Sequence, residues 1–104
     1  MKRHKEYIEH CDLNNATHLE VSVYYTKGGS NYFSGGVTPR GYYIMVTPVT
    51  LNERSVSFTA FTGYSRLLFE TQRYTDKQFA RALEMAKEHK ETLIAAVVEK
   101  NKAA

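Results

Sequence analysis

The 104-residue sequence contains no tryptophan, two prolines and a single cysteine. Alone, Cys11 forms no intramolecular disulfide, so nothing in the chain demands an oxidising compartment. No window approaches the roughly 18 to 20 consecutive apolar residues that cross a bilayer, the best being residues 93–98. The basic opening Met1-Lys2-Arg3-His4-Lys5 never develops the apolar stretch of a secretory signal. These absences lead to the expectation of a cytoplasmic protein with no membrane partner.

Catalytic and metal-binding signatures are also missing. The four histidines (His4, His10, His18, His89) are scattered, and no serine or cysteine sits in a nucleophile elbow. His10, Cys11 and His18 lack the paired CxxC or HxxxH spacing of a zinc site. The glycine pairs Gly28-Gly29 and Gly35-Gly36 do not lead into a helix and carry neither Walker nor dinucleotide spacing, so they read as turns. Glu84, Glu88 and Glu91 are interleaved with Lys87 and Lys90, the pattern of a solvated helix face. The expectation is a non-enzymatic chain with no cofactor and no metal.

What is present is the composition of a folded domain. Apolar residues make up 42% and charged residues 24%, near the globular average and far from the disordered signature. One core, and therefore one domain over residues 1–104, is what this length supports. The aromatic content is skewed to eight tyrosines and five phenylalanines, and tyrosine suits surfaces that are half buried and half wet. The net charge of +3 is unevenly spread. Residues 1–17 balance three cations with three anions, residues 18–74 set five against three, and residues 75–104 six against five. The excess of the central segment is mostly arginine, whose planar fork matches phosphate and carboxylate.

Hydrophobic spacing divides the chain. Residues 1–17 show only a weak helical stripe (Tyr7, Ile8, Cys11) and read as a loosely docked arm. Residues 18–73 read as an antiparallel sheet. Leu19, Val21, Val23 and Tyr25 alternate with Glu20, Ser22, Tyr24 and Thr26 to make a half-buried strand. Gly28-Gly29 suits a hairpin turn into a short strand at residues 30–34. Residues 42–47 form a strand whose clean pairing is expected to end at Pro48. Val56, Phe58 and Ala60 alternate in a third strand, and residues 64–73 make a fourth. The short connections exclude parallel crossovers.

Thr75-Asp76-Lys77-Gln78 fits a capping box, with Tyr74 and Phe79 as its hydrophobic staple. Phe79, Leu83, Ala86, Lys90, Leu93 and Val97 then continue at helical spacing to residue 100, with Ala82, Ile94 and Ala96 widening the stripe. Unbroken, residues 75–100 would span roughly 37 Å, longer than a typical strand, so a break or bend near residues 89–92 is expected. The fold class is α+β, an antiparallel meander of four to five strands with one long C-terminal helix on one face.

One helix covers one face. If Leu19, Val21, Val23, Ile44, Val46, Val56, Phe58 and Ala60 meet it, the opposite face presents Tyr24, Tyr43, Met45 and Phe61, an apolar patch that monomers seldom leave unused. Three explanations compete for that patch. Single-stranded nucleic acid would stack on Tyr24, Tyr43 and Phe61 while Lys27, Arg40, Arg54 and Arg66 meet its phosphates. A protein partner, including a second copy of the chain as a homodimer, would use the same face or the glycine-flanked tip Tyr32-Phe33. Alternatively, the N-terminal arm folds over the face and completes the core. The order of elements over about residues 18–100 resembles that of the Whirly and positive-cofactor single-strand-binding domains. The resemblance is one of layout, with no family motif matched residue by residue, and no functional residue is carried over.

Overall fold

The computed structural model describes residues 1–10, 13–30, 36–52, 55–58 and 63–102. Among the described residues, seven strands, β1 (His4–Glu9), β2 (His18–Thr26), β3 (Gly29–Ser30), β4 (Val37–Thr38), β5 (Gly41–Leu51), β6 (Val56–Phe58) and β7 (Tyr64–Glu70), precede one helix, α1 (Asp76–Lys100). The main sheet has five strands, all antiparallel, in the order β1-β2-β5, with β6 and β7 sharing the far flank of β5. The short β3-β4 ribbon is inserted between β2 and β5. Gly28, between β2 and β3, has a left-handed φ of +69°, and an added Cβ would stand 2.2 Å from the Thr38 carbonyl oxygen; because β3 pairs with β4 and not with β2, Gly28-Gly29 is not the hairpin turn its sequence suggests. The expected short strand at residues 30–34 is described only at Ser30, since residues 31–35 lie outside the described residues.

Alternation along β2 works as its sequence implies. Leu19, Val21 and Val23 are buried toward α1, together with Tyr42, Ile44 and Val46 from β5 and Phe79, Ala82, Ala86, Leu93 and Val97 from the helix. Burial of each such aliphatic chain contributes about 1.5 to 3 kcal/mol, so this single cluster dominates stability. Ala96, expected to widen the helical stripe, is exposed.

The helix is continuous over its 25 residues, with no break at residues 89–92. The reason lies in β5, which runs for 11 residues and so extends about 36 Å at 3.3 Å per residue, a match to the roughly 37 Å of the helix. Pro48 does not end the strand, because Leu19 pairs with Pro48 and His18 with Val49. On the other flank the described pairs with β7 stop at Val46 and those with β6 begin at Val49. Pro48 therefore occupies the place where β5 changes partners, which suits a residue with no N–H for a ladder.

The N-terminal segment is not a loose arm. Residues 4–9 form β1, paired through all six residues with β2. Beyond it, Leu13 is buried in the core, bridges Lys102, and is followed by an Asn14 N–H that donates to the Asn101 carbonyl at 2.8 Å. The arm thus extends the sheet sideways rather than folding over its second face.

Register also corrects one face assignment. Val56 pairs with Leu51 and Phe58 with Val49. Those β5 positions alternate away from Ile44, Val46 and Pro48, so Val56 belongs to the face opposite α1. Ala60, assigned with them, lies outside the described residues. Among the described residues, no helix is long and apolar enough to cross a membrane.

Candidate functional site

The face away from α1 is built from alternate residues of β1, β2, β5 and β7. The register aligns Tyr7 with Glu20, Lys5 with Ser22, Tyr24 with Tyr43, and Tyr43 in turn with Leu67. It is not the bare patch that its sequence suggests. Glu20 is 3% exposed, Ser22 0%, Tyr43 8% and Val49 0%. The Ser22 hydroxyl has no hydrogen-bond partner among the described residues.

At one end of this face three side chains form a row. The Tyr24 and Tyr43 rings are stacked, with centroids 5.9 Å apart and planes inclined by 16°. On the β1 flank of Tyr24, the Arg3 guanidinium carbon lies 4.8 Å from the ring centroid, within cation–π range. The Tyr43 hydroxyl donates to the Pro39 carbonyl at 2.7 Å, which fixes its ring. Burial raises the pKa of Tyr24 above the ordinary phenol value, and the Arg3 charge opposes that rise. Burial also raises Tyr43, with Glu70 adding to the effect. Tyr7 is raised chiefly by its hydrogen bond to the Glu20 carboxylate. These phenols stay neutral through the physiological range.

Around the row the topology collects positive charge. β2 ends at Thr26 opposite Gly41, the start of β5, which also pairs with Glu70 at the end of β7. Lys2, Arg3, Lys27, Arg40, Arg73 and Lys77 all fall at this end, six of the 14 lysines and arginines. The carboxylates there are Glu70 and Asp76, the latter 4.0 Å from the Lys2 ammonium. Arg40 is fixed by donating from Nε to the Lys27 carbonyl at 3.1 Å and from a terminal nitrogen to the Gln72 carbonyl at 3.5 Å. Its charge is not cancelled by these neutral acceptors.

The residues singled out by sequence divide accordingly. Tyr24, Tyr43, Lys27 and Arg40 come together. Arg66 does not join them, because it pairs with Ile44, on the helix side, where its guanidinium meets His89 Nδ1 at 3.2 Å. Phe61, Arg54, Tyr32 and Phe33 lie outside the described residues. Arg3 and Lys2 were not recognisable as site residues, since their role depends on β1 being a strand. A weak signal was present: Arg3, Lys5, Tyr7 and Glu9 alternate with His4, Glu6 and Ile8, a period of two with little apolar contrast.

A groove of 280 Å³ lies on the other side of the sheet, between β1 and α1. Val21, Val23, Ile44, Leu83 and Ala86 line it, and an ion pair of Glu6 with Lys90 stands at its rim. No group of three or more His, Cys, Asp or Glu residues capable of holding a metal occurs among the described residues.

Comparison with protein-family models finds no match, and comparisons with curated proteins and with solved structures find none either.

Proposed function

We propose that this chain is a binding module for single-stranded nucleic acid and that the basic end of its sheet is the binding site. The observation that supports this reading is the row Arg3, Tyr24, Tyr43 at the end of the sheet that also carries Lys27 and Arg40. Unpaired bases stack on aromatic rings and on arginine planes alike, while cations beside the stack meet the phosphates. Because Tyr43 is largely buried and Tyr24 lies between Tyr43 and Arg3, the bases are received by the outer face of Arg3, which Tyr24 and Tyr43 support from behind. A duplex is a poorer match. Stacking needs splayed bases, and α1 is committed to covering the sheet rather than entering a groove.

The site is tested by mapping amide chemical-shift changes on the isotopically labelled protein during titration with a short oligothymidylate at low salt. Changes are expected at residues 2–3, 24–27, 40–41 and 73, with the outward helix positions Glu88, Glu91 and Ala95 unmoved. Absence of any change at high micromolar oligonucleotide rejects the proposal, as does a footprint confined to the groove between β1 and α1.

A further inference from the structure

A second surface follows from the position of β1. It is the outermost strand on its side of the sheet. The His10 N–H donates to the Thr17 carbonyl at 3.1 Å, one step beyond the pairing of Glu9 with His18. That bond fixes the phase of the ladder. His4, Glu6 and Ile8 direct their backbone groups at β2, and Lys5, Tyr7 and Glu9 direct theirs outward. All three outward residues are exposed, Tyr7 by 39%. Three consecutive outward positions therefore offer both an N–H and a C=O at an edge that, among the described residues, no other strand pairs.

Charged residues usually blunt such an edge, and here their arrangement matters more than their number. Lys5 and Glu9 are opposite in sign and equidistant from Tyr7. A twofold axis through Tyr7 therefore sets each Lys5 against the Glu9 of a second copy, twice, and Tyr7 against Tyr7. Cross-strand pairs of opposite charge and of aromatic rings are favourable. Each of the pairs Lys5–Glu9, Tyr7–Tyr7 and Glu9–Lys5 falls at a position that exchanges both backbone hydrogen bonds. Shifting the axis to Glu6 would oppose two Glu6 carboxylates, and shifting it to Ile8 would carry the pairing past the end of the strand at Glu9. The Tyr7 register is the one that satisfies both backbone and charge.

We infer that β1 is a self-complementary edge, through which two copies of this chain pair antiparallel about Tyr7 to form one continuous sheet with both helices on the same face. The paired residues Lys5, Tyr7 and Glu9 are not those of the basic end, and the inference does not rest on nucleic-acid binding there.

Light scattering coupled to gel filtration, and sedimentation equilibrium over a micromolar to submillimolar range, provide the test. The native chain is expected to reach twice its mass of 11.9 kDa. Lys5→Glu or Glu9→Lys alone puts like charges opposite each other at two places and is expected to raise the dimer dissociation constant on the order of tenfold. The double variant Lys5→Glu with Glu9→Lys restores complementarity and is expected to dimerise like the native chain. Circular dichroism of each variant verifies that the fold is retained. A monomer at every concentration, a dimer indifferent to either single reversal, or a double variant that stays monomeric would overturn the inference.

Discussion

Replacement of Tyr42 by alanine is expected to destabilise the protein by about 3 to 5 kcal/mol, the range for removing a large buried aromatic ring. Tyr42 is fully buried in the central strand. Its ring packs on Phe69 at a centroid distance of 4.9 Å, Tyr25 at 5.2 Å and Tyr74 at 6.0 Å. Its hydroxyl accepts the Thr75 N–H at 3.1 Å and donates toward the Thr75 carbonyl at 3.1 Å or Gln78 Oε1 at 3.4 Å. One residue thus joins the middle of the sheet to the start of α1. Domains of this size are stable by about 5 to 15 kcal/mol, so the alanine variant loses much of that margin. Tyr42→Phe keeps the ring and removes the hydroxyl, with an expected loss of about 1 kcal/mol. Urea denaturation of both variants measures the two terms. An alanine variant within 1 kcal/mol of the native protein, roughly the worth of a single hydrogen bond, would show that the aromatic end carries little of the packing energy.

Tyr24→Ala removes the ring that holds Arg3 and is expected to weaken binding of single-stranded oligonucleotides by about 1 to 3 kcal/mol, the worth of one stacked base, or roughly 5-fold to 150-fold in affinity. Tyr24→Phe keeps a stacking surface and is expected to bind nearly as well as the native chain. Tyr24 is half-buried, so thermal unfolding of the alanine variant should accompany the titration to separate a loss of binding from a loss of fold. Arg66→Ala supplies the contrast. Arg66 lies on the helix side with His89, so its removal should cost no more than one unit of non-specific positive charge. A loss at Arg66 as large as that at Tyr24 would place the ligand on the wrong side of the sheet for this reading.

Strong local signals made parts of this fold legible in sequence. β2 announces itself because every second residue is buried against α1, and burial selects apolar side chains at that period. The start of the helix is equally direct. The Thr75 hydroxyl accepts the Gln78 N–H at 3.0 Å, and the Tyr74 and Phe79 rings meet at 6.2 Å. The capping box nevertheless forms by halves. Thr75 N–H goes to Tyr42, and the Gln78 amide donates to Thr71 at 3.2 Å, contacts set by tertiary structure. β1 is illegible for the opposite reason. As an edge strand with exposed or half-exposed residues it needs no apolar alternation, so its sequence reads as an arm. The unbroken helix follows from the length of β5, which local rules around Pro48 cannot reveal.

For the site, tyrosine and arginine content was readable while their sharing of a face was not. Tyr24 and Tyr43 fall together because β2 and β5 pair in register. Arg66 falls away because a register shift beside Tyr42 and Tyr43 sets the alternation of β7. Arg3 enters only through the pairing of β1.

Fluorescence anisotropy of a labelled oligothymidylate, titrated with the native protein across a salt series, is the most direct measurement of whether this end of the sheet serves nucleic acid. Saturable binding at low salt is expected, with the logarithm of the association constant falling linearly against the logarithm of salt with a slope of about −0.7 for each phosphate neutralised. With Arg3, Lys27, Arg40 and Arg73 available, a slope between roughly −2 and −3 is expected. No anisotropy change at high micromolar protein in low salt, or binding indifferent to salt, would contradict the assignment.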